Sequence, residues 1–159
     1  MRLSLLEIGL FALAAALIVA ALPRCSGGGA HGTAVLASWT LTPGVVNPDV
    51  TQATIAATIC RQGWTRTIRP PVSYTNDLKR RGLHQYGLRG PPSNYQEDHL
   101  ISLELGGHPT DPRNLWPEPY PRARTVDQTE NELNAAVCSG KLSLADAQRR
   151  ESLLKHTAG

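Results

Sequence analysis

The chain has 159 residues, with 16 Lys+Arg, 13 Asp+Glu and five histidines, for a formal net charge of +3. That is room for one domain of ordinary size with a modest core, and so mild a positive balance decides little about partners. The three cysteines include no C-x-x-C pair, which argues against a structural zinc site, since that needs more thiolates or histidines at close spacing.

Residues 1–30 read differently from the rest. Arg2 and then Glu7 precede an apolar run from Ile8 to Pro23, and Cys-Ser-Gly-Gly-Gly-Ala follows, which is the layout of a secretory signal peptide. The run is short for a bilayer span, which takes about 20 apolar residues, so a retained membrane anchor is the weaker alternative. Gly28 and Ala30 suit cleavage after Ala30; lipid attachment at Cys25 is a third route, disfavoured by the neighbouring Arg24. The expectation is an exported protein, secreted or held in the cell envelope. Without Arg2, Arg24 and Glu7, the remainder carries 14 basic and 12 acidic side chains, net +2.

Residues 31–48 are small and punctuated by Gly and Pro, and read as a linker and entry segment to a domain over 49–159. "NPDVTQATIAATIC" predicts a short helix capped by Asp49 or Thr51, with Ile55 and Ile59 on one face. "RQGWTRTIRPP" predicts an extended strand ended by its proline pair. "SYTNDLKRRGLHQYGL" predicts a helix starting near Thr75 or Asn76, with Gly82 as a weak point or an end. "NYQEDHLISLEL" has strand character, Gly106-Gly107 supplies a turn, and "DPRNLWPEPYPR" reads as loop plus a short extended piece. From Thr125 a helix turns Val126, Leu133 and Val137 inward, and "LSLADAQRRESLLKH" makes a last helix with a capping box from Ser143 to Asp146. Cys60 and Cys138, lone thiols in an exported chain, are expected to pair. Closing a loop of nearly eighty residues would stabilise by roughly 4 kcal/mol.

The order strand, turn, short strand, helix, with "DHLISLELGG" followed by "NLW", resembles the HNH endonuclease motif, and the span from about Val46 through Gln148 resembles exported bacterial proteins of HNH-nuclease type. The resemblance implies an α+β domain with a ββα-metal core between Gln96 and Ala136, flanked by helices. It implies a phosphodiesterase in which His99 is the general base, Asp98 a metal ligand, and Asn114 the residue that holds the metal loop and orients His99. Such chemistry needs a base for the attacking water and a divalent cation for the charge on phosphorus oxygens. A regular strand sends neighbours to opposite faces, so Asp98 and His99 converge only if the strand ends or distorts there.

The chain departs from the motif in two places. Ser102 stands where the motif usually has proline, a change expected to alter rigidity more than chemistry. No histidine falls between His108 and His156, so the helix ligand must be another residue. Asn131 is the first choice, Asp127 one turn earlier shares its face, and Glu130 is third. Oxygen ligands favour a hard cation, Mg²⁺ or Mn²⁺ before others. Lys79, Arg80 and Arg81, with Arg122 and Arg124, become phosphate contacts for nucleic acid, DNA before RNA, read without sequence preference.

Each piece also has a structural reading: His99 as a satisfied histidine, Asp98 as a turn cap, Asn114 in an Asx-turn, and the charge run as a solvated helix face. The alternative to an enzyme is therefore a non-catalytic cell-envelope binding or structural protein that keeps the ββα shape. The combination, in this order, favours the nuclease.

Overall fold

The computed structural model describes residues 35–158; the leader, Cys25 and the cleavage point expected at Ala30 lie outside them. The described residues are α+β: four α-helices and a two-stranded antiparallel sheet, joined by 3₁₀ turns. Among them no helix is long and apolar enough to cross a membrane.

The entry segment is part of the packed body. Ala37 and Thr42 are buried, Val46 bridges Gly107, and the Asn47 N–H donates to the Gly106 carbonyl at 2.8 Å. The helix expected over "NPDVTQATIAATIC" is only a 3₁₀ turn, Ile55–Ala57. The Thr54 hydroxyl donates to the carbonyls of Asp49 and Thr51, and that of Thr58 to Thr54, so side chains compete locally for the backbone groups a helix would pair.

The strand expected at "RQGWTRTIRPP" is likewise overturned. Trp64–Ile68 is a helix, α1, entered through Gly63 in the left-handed region and ended at Arg69, whose extended backbone suits the residue before a proline. Coiling there turns Trp64 onto the main core. Helix α2, Val72–Gln85, starts at Pro71 and not at Thr75 or Asn76, and Gly82 lies inside it. A Cβ there would stand 2.9 Å from Pro117, so its absence lets the helix settle on the hairpin.

The hairpin pairs β1, Tyr95–His99, with β2, Leu115–Pro119; Asp98 opposes Trp116 and His99 opposes Leu115. Pro117 and Pro119 alternate with residues that carry an N–H, so the prolines fall on positions that owe the ladder no donor. Strand β1 is shorter than "NYQEDHLISLEL" predicts: Leu103–Leu105 is a 3₁₀ turn. Gly106 ends it at φ +75, and a Cβ on Gly107 would sit 1.7 Å from the Ile101 carbonyl oxygen. Helix α3, Arg122–Cys138, begins three residues before Thr125; α4, Leu144–Thr157, carries the expected box, with the Asp146 N–H donating to the Ser143 hydroxyl.

Val50, Ile59, Ile101, Leu105, Val137, Leu144 and Ala147 form the main core, and Ala37, Leu100 and Trp116 a second cluster. A buried Leu or Ile contributes about 1.5–3 kcal/mol. Cys60 and Cys138 are joined, with Cα atoms 5.5 Å apart, tying the segment before α1 to the end of α3.

Candidate functional site

Strand β1 ends at His99, although the Leu100 N–H still donates to the Asn114 carbonyl at 2.8 Å, one rung further in the same register. The strand's end at this pair meets the condition the alternation rule sets. Asp98 and His99 both line a cavity of about 70 Å³, together with Arg69, Gln96, Ser102, Glu104, Asp127 and Glu130. Asp127 and Glu130, at i and i+3 on α3, bring their carboxylates to within 4.8 Å of each other and of Asp98. The Gln96 amide donates weakly to both Asp98 and Asp127, at 3.4 Å each.

Behind these acids lies Lys155 of α4, fully buried. Its Nζ donates to Asp98 Oδ2 at 2.7 Å, Glu130 Oε1 at 2.6 Å and the His99 carbonyl at 2.5 Å, and stands 3.3 Å from Glu151 Oε1. Burial alone would lower its pKa, but Asp98, Glu151 and Glu130 more than reverse this and keep it charged. Four carboxylates, counting Asp127, share one ammonium. Burial pushes Glu130 up to about 9 and raises Asp127 and Glu151 as well, with the neighbouring Asp98 carboxylate adding a smaller push in the same direction. Groups so placed hold either a proton or a cation.

The donor set fits a hard divalent ion. Lys155 bonds one oxygen of Asp98 and one of Glu130, which leaves the second oxygens and Asp127 as an all-oxygen ligand set. The Ser102 hydroxyl, buried on the same cavity, has no partner among the described residues.

His99 is ordered by a single contact. Its Nε2 lies 3.0 Å from the Pro109 carbonyl, which can only accept, so Nε2 carries the proton and Nδ1 the lone pair. Burial lowers its pKa, against weaker raising effects from the Pro109 carbonyl and Asp98, so the ring is neutral near pH 7. Among the described residues Nδ1 has no hydrogen-bond partner, nor is it a buried orphan. Asn114 is buried and clamps the connection between the strands. Its Oδ1 accepts from Val45 and Ile101 N–H, and its Nδ2 donates to the Ile101 and His108 carbonyls. It does not bond the His99 ring; it fixes the loop one residue before Pro109, the carbonyl that does.

Several expected residues fall elsewhere. Asn131 is exposed, donates to the Asp127 carbonyl and lines a separate recess with Arg61 and Gln62, so Glu130 takes the position expected of it. One residue further along a helix is a rotation of about 100°, enough to carry Asn131 from cavity to solvent. Arg122 is committed: it pairs with the buried Glu118 and donates to the Leu154 and Ala158 carbonyls. Arg80 pairs with Asp77, Lys79 donates to the Tyr95 carbonyl, and Arg81 lines a cavity with Glu97 on the α2 side, away from the acids. Arg124 lies over the Tyr120 ring. The cavity's own arginine is Arg69, exposed and in no salt bridge among the described residues.

The sequence pattern misses Lys155 and Glu151, although a signal exists. Leu144, Ala147, Glu151 and Lys155 recur at i, i+3, i+7 and i+11, and all four are buried, so two charges stand on the apolar stripe of α4. Ser102 also has a role beyond rigidity, because its N–H donates to both Glu151 oxygens, at 2.9 and 3.0 Å. A proline has no such donor. No protein-family model, curated protein or solved structure matches this chain.

Proposed function

We propose that the chain is an exported, metal-dependent phosphodiesterase of HNH type, acting on nucleic acid, with β1, β2 and α3 as a ββα-metal core. The observation that carries it is the meeting, at one cavity, of three carboxylates within 4.8 Å of one another and a neutral histidine with an unpartnered ring nitrogen. Asp98, Asp127 and Glu130 would hold Mg²⁺ or Mn²⁺, which when bound supplies positive charge to the phosphate oxygens. His99 Nδ1 accepts the proton of the attacking water, and the Pro109 carbonyl keeps Nε2–H in place, sharing the positive charge that develops on the ring. Asn114 holds the loop on which that carbonyl sits. Arg69 at the cavity offers the phosphate a bidentate donor. Contacts of this kind read the backbone and not the bases, so cleavage is weakly sequence-selective and falls as salt rises. The Cys60–Cys138 bond suits the oxidising compartment that export implies.

Plasmid DNA incubated with the protein and Mg²⁺ or Mn²⁺ provides the test. Nicking should drop about 10²–10⁴-fold in His99→Ala, while circular dichroism shows a retained fold. Equal nicking by both proteins, or none by either across metals, would overturn the enzyme reading.

The second reading is a non-catalytic envelope protein, favoured by Lys155, which already neutralises part of the acid cluster as a structural ion pair would. Calorimetric titration separates the two, because this reading expects no divalent-ion binding that depends on Asp98.

A further inference from the structure

We propose that the Lys155 ammonium is a resident cation filling one of two cation positions in the acid cluster, so that the site takes a single divalent ion and not a pair. The inference rests on the metal reading above and extends it. Nζ is surrounded by Asp98 Oδ2, Glu130 Oε1, the His99 carbonyl and, more distantly, Glu151 Oε1. Three carboxylates and a backbone carbonyl are the donors a hard metal ion selects.

Asp98 and Glu130 also converge with Asp127 toward the cavity. Two residues therefore serve both positions, one of which holds the ammonium. On the cavity side the unpartnered, buried Ser102 hydroxyl marks room for a further ligand. Behind Nζ the Ser102 N–H fixes both oxygens of Glu151, so the carboxylate farthest from the cavity belongs to the lysine. A second ion has no position until the lysine leaves. Lysine suits the role because it carries a compact charge on a slender stem, which α4 threads along its buried stripe.

The full chain, stripped with EDTA, is titrated with Mn²⁺ by calorimetry and electron paramagnetic resonance as wild type, Lys155→Gln, and the double variant Glu151→Gln with Lys155→Gln. The double variant removes one charge of each sign, so it keeps the test open where the single variant does not fold. One Mn²⁺ on the wild type and two on the variants, with the broadened signal of neighbouring ions, is the expected result. One ion on the folded variants, or two on the wild type, overturns the inference and leaves the metal site standing. No ion on the wild type and one on the variants overturns the two-position inference together with the metal reading, because the lysine then fills the one position the cluster has. No ion on any of the three sinks both readings.

Discussion

The two faces of the hairpin bury carboxyl groups in opposite ways. On the side of α3 and α4, Asp98 lies against an ammonium that contacts three acids at once. On the side of α2, its neighbour Glu97 has one buried oxygen with no partner among the described residues. Burial pushes Glu97 up to about 8; Lys79 and Arg81 pull the other way without reversing it, and the Lys79 ammonium is bonded to the Tyr95 carbonyl. Two adjacent residues thus reach low-dielectric surroundings, and one is satisfied by a lysine while the other keeps its proton. Both sides bury carboxyl groups, but only on the side of α3 and α4 does a side-chain cation bond them directly.

Removing the contact tests this most severely. Lys155→Met in EDTA should lower unfolding free energy by about 3–5 kcal/mol, read by urea denaturation, because Asp98, Glu130 and Glu151 lose their shared partner. Ser102→Pro is milder. Ser102 already has φ −62 and ψ 155, which proline accepts, so the loss of about 1–3 kcal/mol reports the missing donor to Glu151.

Glu97→Gln sharpens the other side of the comparison. The native carboxyl keeps its proton up to about 8, whereas the unfolded chain releases it near 4.5. Its contribution is therefore complete below about pH 4.5 and is lost as pH rises through 8. Unfolding free energies from urea titrations at pH 5 and pH 9, in EDTA, should fall in the wild type by roughly 4 kcal/mol more than in Glu97→Gln. Arg80→Ala should change stability by less than about 0.5 kcal/mol, since its pair with Asp77 is exposed, and should leave plasmid nicking unaltered. A large effect of that variant on nicking would place the substrate on α2 after all.

Elements whose pattern agrees with their packing are legible from sequence. The apolar spacing of Val126, Leu133 and Val137 marks α3, Ser143 and Asp146 mark the start of α4, and the spacing of Cys60 and Cys138 matches a real bridge. Trp64–Ile68 is not legible, because its β-branched residues favour a strand while the core takes Trp64 from a single helical turn. Of the candidate site, Asp98, His99 and Asn114 stand out because several polar types crowd around a turn. Glu130 and Lys155 stay hidden because their place is set by how α3 and α4 dock, which no local pattern contains. The arginines mislead for the same reason: Arg122 resembles a surface cation until Glu118, four residues earlier, is found buried beneath it.

Glu151 and Lys155 are one turn apart on α4, and this fixes how the helix can lie. Were α4 to slide along its groove by one turn, about 5.4 Å, Glu151 would arrive where the ammonium now sits, facing Asp98 and Glu130 with the wrong sign. A helix with leucines at those places would tolerate several docked positions, whereas this one has a single seat and is repelled from the next.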